Sequence, residues 1–142
     1  MIIQQLSIFL EDKTGSLERV TNILAQHGIS MSAFCVADAT DYGILRMIVS
    51  SPEKAVEVLR ANNLSVNSVG VICIKMKNVA GALNIALKVL SDNGISIDYM
   101  YAFTNSAEAD VAMAVIHTSD SAKAVEILEA NDVELIASNE IK

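Results

Sequence analysis

Apolar and polar residues alternate over residues 2–10, with Leu6, Ile8 and Leu10 on one face and Gln5, Ser7 and Phe9 on the other. A period of two is the mark of a β-strand. The period then lengthens. Over residues 16–26, Leu17, Val20, Ile23 and Leu24 form an apolar stripe while Glu18, Arg19, Asn22 and Gln26 face water, which predicts a helix. Residues 11–15 break the pattern between the two as a glycine turn, and Gly28 supplies a left-handed stop. Strands are expected over 29–37 and 43–50, on either side of a polar turn at 38–42. Pro52 suits the first turn of a second helix, whose apolar side is Ala55, Val56, Val58 and Leu59 and which closes at Asn62 and Asn63. A short strand over 64–69 completes the order βαββαβ.

The plan then starts again with almost no linker. A strand is expected over 71–76, a helix over 80–93 with Leu83, Ala86, Leu87 and Leu90 at core spacing, and a strand over 95–103. A turn at 105–109, a strand over 110–118, a helix over 121–131 and a last strand over 133–138 follow. Gly81 follows Gly15 by 66 residues (81 − 15), and Gly94 follows Gly28 by the same 66 (94 − 28). Late in the copy the offset is 69, matching Ala124 to Ala55 (124 − 55), so three extra residues fall in or near the turn at 105–109. The chain is thus expected to be α+β: two tandem ferredoxin-like βαββαβ modules, 1–69 and 70–142, each a four-stranded antiparallel sheet with its helices on one face.

Both faces of the strands carry apolar side chains, with Phe9, Phe34, Val36 and Ile48 set against Leu6, Ile8 and Ala37. An antiparallel sheet open to water on one side is polar there. The second face is therefore expected to be covered, by the other module or by another chain, and a homodimer is favoured. The helix over 80–93 also carries Ala82, Ile85 and Val89 beside its core stripe, where its counterpart is polar. Either its core contact is broader or it packs against something more.

The turn before each first helix is the place where chemistry is expected. A helix that starts at a glycine presents free N–H groups and a partial positive charge, and so receives a carboxylate or phosphate without a basic side chain. Gly15 and Gly81 let a ligand approach the backbone, Thr14 and Ser16 add hydroxyls, and Asp12 and Asn78 stand just before the turn. On physical grounds alone plain helix capping is the preferred reading of Asp, Thr and Ser before a helix. The recurrence of the whole unit, down to the Gly-Ile-Ser that opens the next strand, raises the functional reading beside it.

Asp-Lys-Thr-Gly-Ser-Leu at 12–17, followed by a helix and His-Gly-Ile-Ser-Met at 27–31, resembles the ACT domain. That family shows a polar turn, glycine, an aliphatic residue, a helix, then Gly-Ile-Asn-Ile. Gly81-Ala82-Leu83 through Gly94-Ile95-Ser96-Ile97 is similar, and it matches the Gly-Ala-Leu start of phenylalanine-responsive ACT domains. The resemblance covers both halves. It implies regulatory binding of a small molecule, most often a free amino acid, held between the helix start of one module and the second-strand opening of a neighbour. The residues so implied are Asp12, Lys13, Thr14, Gly15, Ser16 and Leu17 with Ser30 and Met31, and Asn78, Val79, Ala80, Gly81, Ala82 and Leu83 with Ser96 and Ile97. The chain departs from the family where asparagine usually follows Gly-Ile: both copies have serine, which reaches less far. Asp98, two residues on, is a candidate ammonium partner. The first turn is polar and the second nearly apolar, so two unequal sites, or one, are expected.

Composition narrows the alternatives. A net charge of −7 disfavours nucleic acid. No apolar run approaches the roughly 18 residues a membrane span needs, and no leader pattern precedes the first strand. Cys35 and Cys73 sit in apolar runs, as buried thiols in a reducing cytoplasm do. His27 and His117 stand outside any spaced metal motif, and no nucleophile–base pair, dinucleotide fingerprint or phosphate loop is present. No catalytic residue, metal or cofactor is expected. The expectation is a stand-alone amino-acid sensor acting through assembly or partner binding. The alternative is a ligand-free interaction module or regulatory subunit of an enzyme of amino-acid metabolism.

Overall fold

The computed structural model describes residues 1–11, 13–38, 41–104, 108–137 and 140–141, with backbone alone at 13 and 38. In chain order the elements are β1 (Ile3–Leu10), α1 (Lys13–Gln26), β2 (Met31–Asp38), β3 (Gly43–Val49), α2 (Pro52–Ala61), β4 (Val66–Lys77), α3 (Ala82–Asp92), β5 (Ile97–Thr104), β6 (Val111–Thr118), α4 (Ser121–Ala130) and β7 (Glu134–Leu135). They form two compact units, Gln4–Val69 and Met1–Ile3 with Gly70–Lys142.

In the first unit the strands lie in the order β2-β3-β1-β4. β3 is antiparallel to both neighbours, with Leu6 opposite Met47 and Ile8 opposite Leu45. These side chains point at α1 and α2 and join Val20, Leu24, Ala55 and Leu59 in a fully buried aliphatic core. Each large aliphatic side chain so buried stabilises the unit by about 1.5–3 kcal/mol.

The face assignment made for β2 from its alternation is corrected by a register shift between Met31 and Ala33. One extra residue reverses the phase of everything after it. Phe34 therefore pairs with Met47 and Val36 with Leu45, on the face that carries the helices. Because β2 is the edge strand, they remain 60% and 45% exposed. On the opposite face Gln5, Ala33 and Ile48 are buried, while Phe9 is exposed and packs against Tyr42 in a tilted pair, with ring centroids 4.8 Å apart and planes at 37°.

The second unit repeats the order as β5-β6-β4-β7. Ile72 and Ile74 of β4 face Ile116 and Ala114 of β6, and Ile74 also faces Leu135 of β7. With Ala86, Leu90, Ala124 and Leu128 from the helices they make the second core. The two expected strands at 64–69 and 71–76 are one continuous strand, β4. Gly70 does not interrupt it: a Cβ there would stand 2.9 Å from Ile2 Cγ2, so glycine serves close packing. The last strand is only Glu134–Leu135, although the Ile136 N–H still donates to the Cys73 carbonyl at 3.0 Å. Within the expected turns, residues 39–40 and 105–107 lie outside the described residues, and with them most of the place expected to hold the three-residue insertion.

The two first helices start differently. α3 begins at Ala82, after Gly81 in the left-handed region at φ +88°. α1 begins at Lys13, so Gly15 lies inside a helix and is not the turn residue expected from the sequence. In the second copy the Asn78 N–H donates to the Asp110 carbonyl at 2.7 Å, just past the end of the β4–β6 ladder.

Candidate functional site

The second copy's turn opens a cleft. After β4 the Val79 N–H donates to the Lys77 carbonyl at 2.9 Å and the Ala82 N–H to the Val79 carbonyl at 3.3 Å. Gly81 follows as the N-cap, and no side chain caps α3. A Cβ on Gly81 would meet nothing within 4 Å, so the backbone angle, not crowding, requires glycine. The first-turn amides and the positive end of α3 favour an anion nearby.

The cleft has a volume of about 800 Å³ and belongs entirely to the second unit. Ile74 and Met76 of β4, Val111 of β6 and Val133 supply apolar walls. Val79, Ala80, Gly81, Ala82, Ile85 and Ala86 form the side toward α3. Two of these are unusually open to solvent, Val79 at 60% and Ile85 at 64%.

Charge comes from Lys75, Lys77, Asp132 and Glu134. Lys75 is committed to Glu108 at 3.3 Å, and that hydrogen bond holds its ammonium above the usual lysine range. Lys77 and Asp132 make no ion pair or side-chain hydrogen bond among the described residues. Asp132 sits just past α4 at φ +59°, beyond the C-cap Asn131.

The first unit treats the equivalent place differently. Its second helix has the same ending, a C-cap Asn62 followed by Asn63 at φ +64°. There the Arg19 guanidinium, midway along α1, donates to the Asn62 carbonyl and ties that helix to the end of α2. Ile85 occupies the position of Arg19 in the second copy (85 − 19 = 66) and has no such reach.

Of the residues implied by the family resemblance, Val79, Ala80, Gly81 and Ala82 line the cleft. The Asn78 backbone N–H bonds the Asp110 carbonyl beyond the end of β4, and Leu83 and Ile97 pack on the second core. Ser96 is exposed at the entrance to β5. Asp98 is turned to His117, its Oδ2 2.9 Å from Nδ1, and that imidazole stacks on Tyr99 at 5.0 Å and 7°. In the first copy, Asp12 and the Lys13 side chain lie outside the described residues. Thr14 and Gly15 are exposed and Ser16 half-buried in the first turn of α1, whereas Leu17 and Met31 pack on the first core. Ser30 exchanges hydrogen bonds with Ser50, its N–H to Ser50 Oγ at 3.1 Å and its carbonyl from the Ser50 N–H at 3.0 Å.

Sequence reasoning missed Met76, Lys77, Val111 and the stretch from Asp132 to Glu134 as cleft residues. The last of these comes from a distant loop that only the fold brings near. Ile85 carried a signal, an aliphatic residue on a helix face that is polar in the first copy. Both cysteines are free thiols, and burial pushes Cys73 up to about 12. Burial also raises Cys35, despite the Arg46 guanidinium beside it. Among the described residues no group of three or more His, Cys, Asp or Glu side chains gathers to hold a metal ion, and no helix is long and apolar enough to cross a membrane.

The sequence pattern of the ACT domain pair matches residues 1–142. No curated protein matches the chain. Among solved structures, protein BT0572 from Bacteroides thetaiotaomicron is 45% identical with a TM-score of 0.93, over 99% of this chain and 96% of that one. The ligand-free regulatory subunit of aspartate kinase from Thermus thermophilus is 14% identical with a TM-score of 0.62, over 89% and 91%. The same subunit from Thermus flavus is 12% identical with a TM-score of 0.62, over 89% and 90%. At those two identities the likeness is one of fold.

Proposed function

The chain belongs to the ACT domain pair family, regulatory ligand-binding modules, and from that premise we propose that it is an amino-acid sensor without catalytic activity. The observation that carries the reading is the cleft at the start of α3, where the family's glycine turn borders a cleft of about 800 Å³, within the range of small-molecule sites. A ligand carboxylate would meet the uncapped first turn of α3 and Lys77, and the ammonium would meet Asp132 or a backbone carbonyl. The site stands open on one side, and a second copy of the chain, as a homodimer in the cytoplasm, would close it. Ligand that binds only the closed form shifts assembly, or the grip on an enzyme of amino-acid metabolism, by mass action.

The test is thermal unfolding with each of the twenty amino acids at millimolar concentration. A ligand at about 100 times its Kd stabilises by about 2.7 kcal/mol, a rise of several degrees for a chain of this size. A clear responder supports the sensor; a flat panel overturns it. A second reading, a ligand-free pairing module, is favoured by Phe34 and Val36, exposed on the edge strand β2. If changing Gly81 to a bulky residue leaves partner binding intact and no amino acid has any effect, this second reading stands instead.

A further inference from the structure

The two copies act as each other's control. Their second helices end alike, with Asn62 and Asn131 as C-caps and Asn63 and Asp132 in the left-handed region just beyond. What differs is the residue on the first helix that faces this ending. Arg19 spans the gap in the first unit and donates to the Asn62 carbonyl. Ile85 stands at that position in the second unit, 64% exposed, beside an open cleft. The exchange removes a latch and adds an apolar wall.

From this contrast we propose that each chain has one site, in the second unit, selective for an amino acid with a bulky apolar side chain, and that Arg19 keeps the first unit's equivalent place shut. The inference rests on the amino-acid reading given above and adds the ligand class and the stoichiometry. Exposed aliphatic surface on Ile85 and Val79 gains by being covered with hydrocarbon. The side chains of Met76, Val111 and Val133 supply no strong hydrogen-bonding group. A hydroxyl, amide or charged group laid against this apolar wall would lose its hydrogen bonds to water without replacement. With Lys75 paired to Glu108, the cleft keeps the positive charge of Lys77 and the negative charges of Asp132 and Glu134, and Lys77 and Asp132 can take the two ends of a zwitterionic head. The apolar wall thus selects a leucine-like ligand, and the acidic pair Asp132 and Glu134 disfavours an aspartate-like one.

The experiment is titration calorimetry of the full chain with all twenty amino acids, and with apolar carboxylates that lack the amino group. Ile85→Arg and Arg19→Ala variants are run beside it. Ile85 is mostly exposed, so an arginine there does not enter the core, and a circular dichroism melt confirms folding. The expected result is binding of one large aliphatic or aromatic amino acid per chain. Alanine should bind at least about tenfold more weakly, since one methylene in an apolar pocket is worth about 10- to 200-fold. Ile85→Arg should lose at least tenfold in affinity, and Arg19→Ala should keep the affinity of the second-unit site. Binding of polar amino acids alone would overturn the ligand class while leaving the sensor reading in place. Two ligands per chain, or unchanged affinity in folded Ile85→Arg, would overturn the assignment to one latch-free unit. Binding of apolar carboxylates but of no amino acid would sink the sensor reading and the amino-acid ligand proposed here, leaving only an apolar preference. Silence throughout would sink both proposals.

Discussion

Gly15 and Gly81 stand at equivalent places in the repeat, yet their backbones do opposite things. Gly81 holds φ +88° as the N-cap of α3, whereas Gly15 is the third residue of the helix α1. Alanine at each should therefore change stability with opposite sign. At Gly81 the new Cβ meets nothing within 4 Å, so the loss is the left-handed penalty alone, about 1–2 kcal/mol. At Gly15 alanine lowers the entropy of the unfolded chain and favours the helix, a gain of about 0.5–1 kcal/mol. The two single variants should differ by roughly 1.5–3 kcal/mol. With urea m-values of about 1–3 kcal/mol/M, equilibrium unfolding should place their midpoints about 1 M apart, on either side of the parent. Shifts of the same sign, or a Gly81→Ala variant as stable as the parent, would refute the asymmetry between the two helix starts.

Other consequences can be measured on the same material. Cys73 is fully buried and its thiol is raised from 9.0 to about 12, so the fold favours the neutral form. Its contribution is complete below pH 9 and declines as pH rises toward 12, by about 1.4 kcal/mol per unit; urea unfolding of Cys73→Ala should show a correspondingly shallower decline, with that of Cys35 remaining. A thiol-reactive reagent at neutral pH should leave Cys73 unmodified until the chain unfolds. Leu128, with no exposure in the second core, should lose about 2–5 kcal/mol of stability on change to alanine. Asp98→Asn alters a contact with His117 in which the Asp98 side chain is 49% exposed, and chemical denaturation should register less than about 1 kcal/mol.

The repeat was legible because its signals are local. Aliphatic spacing set both cores, and the glycines that end the first helices, Gly28 and Gly94, do adopt the left-handed conformation at φ +66° and +71°. What stayed hidden depends on contacts between distant residues. The bulge after Met31 reversed the face of Phe34 and Val36, and alternation carries no mark of an extra residue. Gly70 reads as a strand break, yet it exists for the Ile2 methyl packed against it. The different starts of α1 and α3, at Lys13 and at Ala82, are announced by no motif. The turn residues 79–82 were visible as a motif, but the cleft they border needs Asp132 to Glu134 from the other end of the module.

The central claim is that the second unit's cleft holds the ligand. Amide NMR of the full chain, with the best-responding amino acid added to saturation, tests it most directly. The account predicts shift changes concentrated over residues 76–86 and 132–134, with residues 14–19 little affected. Changes centred on the first turn of α1, with the cleft residues unmoved, would contradict it.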